Sequence, residues 1–173
     1  GLYRVSDDQG DPVMGNPDGA ITLYEFSDYN CGYCKRVFEP IQQMLRDNPD
    51  VRLVIKEFPI LSQSSLVAAQ AAIAAEMQGK FAYYHTGMMS YRGQITNDVV
   101  MRVAEQAGLD NTQLQKNMQS AETAAIIQRT REAAAALALN GTPALVIGDT
   151  VVPGAIGLDE LVGLIADERA KQG

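Results

Sequence analysis

The chain holds two cysteines, Cys31 and Cys34, and both lie in the stretch YEFSDYNCGYCKRVFEP, Tyr24 to Pro40. Two thiols at C-x-x-C spacing serve three chemistries: a structural staple, metal ligation, or thiol–disulfide exchange. The staple is the weakest, because a bridge over two residues restrains the unfolded chain little. A structural zinc takes four ligands, while this chain has two cysteines and one histidine, His85. Copper(I) is soft and accepts two thiolates, so Cys31 and Cys34 as a Cu(I) pair remain an alternative. Exchange fits the pattern best. Cys31 is then the attacking or leaving sulfur, Cys34 resolves a mixed disulfide formed on it, and Gly32 and Tyr33 are the spacer.

The elements around the motif must place Cys31 at a helix start. ITLYEFS, residues 21–27, is apolar on both faces apart from Glu25, the mark of a strand in a covered parallel sheet. After the cysteines, Val37, Phe38, Ile41, Met44 and Leu45 recur at helical spacing, with Pro40 expected to kink that helix. VRLVIKEF, residues 51–58, supplies a second buried strand and completes a βαβ unit. The strand-to-helix junction then sets Cys31 against unpaired backbone N–H groups and the positive end of the helix dipole, which stabilise a thiolate.

Downstream, residues 62–139 are alanine-rich with helical period, and four or five short helices without a strand are expected. Thr96 and Asp110 are candidate N-caps, and Gly79 and Gly108 candidate stops. PALVIGDTVVPG carries a hairpin signal about Gly148-Asp149, and LDELVGLIADERA closes the chain as an amphipathic helix. A short edge strand is expected near Tyr3 to Val5. The order is βαβ, a helical block, then ββα.

Composition is that of an ordinary globular protein, 46% hydrophobic and 20% charged. The net charge of −7 argues against nucleic acid or an anionic membrane as partner. No apolar run reaches the roughly 18 residues of a membrane span. His85 in FAYYHTGMM reads as structural or exposed; Tyr83, Tyr84, Met88 and Met89 read as core packing rather than a peptide groove. The acidic SDDQGDP lacks calcium-loop spacing, and the expected burial of Thr142-Pro143 opposes a glycosylation reading of NGT.

EFSDYNCGYCKR, VIKEFPI, the helical block and NGTPALVIG together resemble the thioredoxin superfamily, and within it the DsbA-like thiol–disulfide oxidoreductases, with ScsC-type relatives nearest. The resemblance implies a thioredoxin fold formed by residues 1–60 and 140–173, interrupted by an α-helical subdomain at 61–139. It implies a cis-proline at Pro143, preceded by Thr142 and facing the cysteines, and a buried Glu25 paired with Lys56 to relay a proton to Cys34. Glu57 is an alternative partner, and its position adjacent to Lys56 puts it on the opposite strand face. No organic cofactor is implied. The implied partners are cysteine-containing exported proteins and a redox partner, in the periplasm, with a signal peptide already removed. Gly32-Tyr33 replaces the Pro-His of DsbA, so any extra thiolate stabilisation falls to Lys35 or Arg36. The Cys31 pKa is expected below about 8.5 yet above the roughly 3.5 of DsbA. Thr142 in place of valine keeps an isomerase or reductase role open.

Overall fold

The computed structural model describes residues 3–6 and 10–173. A five-stranded sheet is built from β1 (Val13–Gly15), β2 (Ile21–Ser27), β3 (Val51–Glu57), β4 (Ala144–Ile147) and β5 (Thr150–Pro153), in the order β1-β3-β2-β4-β5. β2 and β3 run parallel, with α1 (Gly32–Asp47) between them in sequence; the other pairings are antiparallel. The edge strand is β1, whereas Tyr3 to Val5 form no strand. The isolated YRV triplet has no partner signal, and Val5 instead packs beside the Phe26 cluster. The acidic stretch SDDQGDP lies partly outside the described residues.

Both faces of the central strands are covered, which is why β2 and β3 lack alternating polarity. Leu23, Leu53 and Ile55 pack with Val37, Ile41 and Met44 of α1 on one face. Phe26, Ala144 and Val146 pack with Ala133 and Ala134 on the other. α1 continues through Pro40 without a break in the helix.

Between β3 and β4 lie α2 (Gln63–Met77), α3 (Phe81–Ser90), α4 (Asn97–Gln106), α5 (Asn111–Met118) and α6 (Ala121–Ala136). α2 is buried nearly all round through the alanines between Ala68 and Ala75, a run interrupted by Gln70 and Ile73. Small side chains let α3, α4, α5 and α6 all approach that one helix. Thr96 and Asp110 accept the backbone N–H of Val99 and Gln113 as N-caps, and Gly79 and Gly108 end helices at φ +71 and +88, where a Cβ would be strained. The closing helix α7 (Leu158–Gln172) packs on α1, β2 and β4.

Candidate active site

The loop from β2 into α1 is held by one carboxyl group. Asp28 accepts the Asn30 N–H at 2.8 Å and the Ser65 hydroxyl at 2.7 Å on one oxygen. Its other oxygen accepts the N–H groups of Ile60 and Leu61 at 2.9 and 3.0 Å. The Asp28 carbonyl accepts the Cys31 N–H at 3.0 Å. The two loops that leave the sheet at the ends of β2 and β3 are thereby tied together beside the cysteines.

Cys31 is the N-cap of α1, and its Sγ accepts the Cys34 N–H at 3.2 Å. A sulfur does here what an aspartate or serine oxygen does at other helix starts. Both cysteines are free. Cys31 is 6% exposed and Cys34 0%, so Cys31 is the sulfur a substrate can reach. Its Sγ–H donates to the Thr142 carbonyl at 3.3 Å, and the Thr142–Pro143 peptide bond is cis. The segment leading into β4 therefore presents the backbone of Thr142 to the attacking thiol.

The two thiols are pushed apart in acidity. The Cys31 pKa is lowered from 9.0 to about 6, chiefly by a hydrogen bond from the Cys34 thiol; burial opposes this, and the Thr142 side-chain hydroxyl, not its carbonyl, assists together with the N–H groups of Cys34 and Tyr33. The Cys34 thiol is pushed far up by that same hydrogen bond, by burial and by the charge of Glu25. Glu25 is itself raised from 4.5 to about 8, first by burial and then by the Cys31 charge. A reachable thiolate thus sits over a sealed thiol, with a reluctant acid below.

Lys56 is not paired with Glu25. The β2–β3 register sets Glu25 beside Ile55 and Phe26 beside Lys56, so Glu25 and Lys56 project from opposite faces of the sheet. Lys56 Nζ bonds Asp11 Oδ2 at 2.6 Å, with both side chains almost fully buried. Lys35 and Arg36 are also directed elsewhere: Lys35 Nζ donates to the Tyr91 carbonyl, and the Arg36 guanidinium lies over the Tyr33 ring. Gly32 and Tyr33 occupy the first turn of α1, with Tyr33 largely exposed. Tyr84, Met88 and Met89 are core residues, while Tyr83 is exposed.

The carboxyl that shares the Glu25 face is Glu57, named from the sequence only as an alternative partner and not as a neighbour of Tyr29 and His85. Glu57 lies beside Ser27 in the register, two residues from Glu25's level. Tyr29 Oη stands 3.0 Å from Glu57 Oε2 and 2.8 Å from His85 Nδ1. The His85 ring stacks on Phe81 at 4.9 Å and meets Tyr29 and Phe38 edge-on. A lone histidine inside an aromatic run was the only available signal, and it does not reveal a partner 56 residues away. Among the described residues no three His, Cys, Asp or Glu side chains gather as a metal site, and no helix is long and apolar enough to cross a membrane.

Known proteins share this fold. The family model described as Thioredoxin matches residues 7–167. A thioredoxin-like oxidoreductase from Silicibacter pomeroyi DSS-3 superposes with a TM-score of 0.90 at 40% identity, covering 96% of this chain and 95% of that one. The catalytic domain of Proteus mirabilis ScsC gives 0.86 at 29%, covering 95% and 92%. The thiol-disulfide exchange protein alpha-DsbA2 from Wolbachia pipientis gives 0.86 at 26%, covering 92% and 88%. The chain spans only 21% and 26% of the length of two curated sequences it matches, Na(+)/H(+) antiporters of Salinispora species. With its C-x-x-C pair at the start of α1, the chain belongs to the thioredoxin family, alongside the DsbA-like thiol–disulfide oxidoreductases.

Proposed function

We propose that this chain is an extracytoplasmic thiol–disulfide oxidoreductase that exchanges disulfides with cysteine-containing exported proteins. The observation that carries the reading is the split between the two sulfurs: a reachable Cys31 with a lowered pKa above a sealed Cys34. In the oxidising direction a substrate thiolate attacks Cys31 Sγ of the disulfide and the Cys34 thiolate leaves. Glu25, neutral below about pH 8, supplies the proton that Cys34 takes up. A second substrate thiolate then attacks the substrate sulfur of the mixed disulfide, and Cys31 departs as a thiolate. The substrate has lost two electrons, the cysteine pair has gained them, and a partner disulfide must re-oxidise the pair.

Thr142 and Pro143 serve in this reading as the backbone rim on which an extended substrate pairs next to Cys31. Residues 61–139 act as an inserted subdomain that carries His85 in beneath the cysteines. The reaction needs no organic cofactor, and Lys56 has no part in the proton transfer. A stabilised Cys31 thiolate favours the dithiol, so a redox potential above the roughly −270 mV of thioredoxin is the expected measurement. Incubation of Cys34→Ser with an unfolded substrate whose thiol carries a small-thiol mixed disulfide, so that Cys31 attacks the substrate sulfur and the small thiol leaves, tests the assignment. The variant is expected to accumulate a complex linked through Cys31, while Cys31→Ser forms none. Exchange that survives in Cys31→Ser, or a potential at or below that of thioredoxin, would overturn it.

A further inference from the structure

Three buried side chains beneath the cysteines are not used by the exchange chemistry: Glu57 at the end of β3, Tyr29 before Cys31, and His85 of α3. Tyr29 has one hydroxyl proton and two neighbours, Glu57 Oε2 and His85 Nδ1. It donates to one of them and accepts from the other. Two arrangements satisfy the distances. In the first, Tyr29 donates to an ionised Glu57 and the His85 Nδ1–H donates to Tyr29. In the second, a protonated Glu57 donates to Tyr29, which donates to the bare Nδ1 of His85.

The surroundings decide between them. Glu57 Oε1 is buried with no hydrogen-bond partner, and neither has the hydroxyl of Ser27, its neighbour in the register. An ionised Glu57 would bury charge on an oxygen that nothing compensates. The charges around it add to the cost: Glu25 from β2 on the same sheet face and Asp28 from the loop repel a charge there, Asp11 beside Lys56 adds a smaller repulsion from across the sheet, and Tyr84 of α3 contributes none of opposite sign. Lys56, the nearest cation in sequence, projects from the other face of the sheet to Asp11. Burial also holds His85 neutral, lowered to about 3, so the ring is free to accept.

We propose that Glu57, Tyr29 and His85 are positioning residues of the site, joined in a neutral chain in which Glu57 donates to Tyr29 and Tyr29 donates to His85 Nδ1. The chain keeps the proton on Glu57, so that of two carboxyls on one sheet face it is Glu25 that ionises next to Cys34. This role rests on the exchange reading above, but its test needs no substrate. If His85 is replaced by phenylalanine, which suits a cage of Phe81, Phe38 and Tyr29, the Tyr29 proton turns to Glu57 and stabilises its carboxylate. A charged Glu57 then makes Glu25 harder to ionise.

Carboxyl-carbon NMR titration of the reduced protein reads this directly. His85→Phe is expected to move the Glu25 midpoint up by about half a pH unit or more, and His85→Phe with Glu57→Gln is expected to return it to the wild-type value. A structural role for His85 would give no such rescue. An unchanged or lowered Glu25 midpoint in His85→Phe overturns the proposal, as does a shift that persists in the double variant. Ring-nitrogen NMR of the wild-type protein decides the matter independently of any variant's folding. His85 is expected to carry its proton on Nε2 alone, and a proton on Nδ1 overturns the chain. Loss of exchange activity in the cysteine variants leaves these readouts untouched, so the two readings fail separately.

Discussion

At the scale of single residues, the site is governed by which groups surrender a proton. Cys31 gains its acidity mainly from Cys34, not from a cation. Thiolate absorbance of the reduced protein is therefore expected to titrate near pH 6, and Cys34→Ala to move that midpoint upward toward the free value of roughly 8.5. The linkage has a definite sign. The thiol is lowered from 9.0 to about 6 on folding, so its contribution to stability is complete above pH 9 and is lost as pH falls through 6. Glu25 works the other way, because its folded pKa of about 8 exceeds 4.5. The unfolded chain releases that proton first, so Glu25 lowers stability increasingly from pH 4.5 to 8. Glu25→Gln should raise the unfolding free energy of the reduced protein at pH 8, read from urea denaturation, by about a few kcal/mol, the order given by a shift of this size. The gain should fade toward pH 4.5, and a gain that is equal at both pH values would refute the burial of an acid there.

At the scale of elements, Asp28 does for two loops what N-caps do for single helices. Its four side-chain hydrogen bonds join the start of α1 to the segment leading into α2. Asn30 extends the tie, its amide lying within 3.0 Å of the hydroxyls of Ser62, Ser64 and Ser65. Asp28→Ala leaves the Ile60 and Leu61 N–H groups without their acceptor. Each orphaned donor costs about 1–3 kcal/mol, so a loss of about 3 kcal/mol or more is expected in chemical denaturation. Asp28→Asn keeps an acceptor oxygen and should lose less. Equal losses for the two variants would show that the carboxyl's charge, not its hydrogen bonds, holds the loops.

At the scale of the whole molecule, a buried ion pair fastens the N-terminal lead-in to the middle of the sheet. Lys56 of β3 and Asp11 are 0% and 1% exposed. Replacing one partner of such a pair with an apolar residue leaves a buried charge and costs about 3–5 kcal/mol, whereas replacing both with apolar residues is often near neutral. Lys56→Met is thus expected to destabilise strongly, and Lys56→Met with Asp11→Leu to recover most of the loss. The thiolate titration of Cys31 should stay in place in both, since Lys56 lies on the sheet face away from the cysteines. A displaced titration would return Lys56 to the site.

Local chemistry was legible in the sequence wherever a residue's role depends on its near neighbours. Two thiols one helical turn apart, apolar strands on either side, and caps such as Thr96 and Asp110 follow from spacing and propensity. Pairings between distant segments were not legible. The family resemblance implies Glu25 and Lys56 as partners, because they occupy the places of the family's buried acid and strand lysine. Register then decided the matter: in a parallel pair, side chains on a common face stand level, and one residue's difference turns a side chain to the opposite face. That rule set Glu25 with Glu57 and sent Lys56 to Asp11. It takes the tertiary fold to bring α3 under the loop, where a histidine without any sequence partner meets Tyr29. By itself, the sequence determined that Cys31 and Cys34 form a C-x-x-C pair at a helix start, a pattern that suits exchange better than a staple. Only the tertiary structure decided which buried groups hold the protons, because burial and register are properties of segments brought together from far apart.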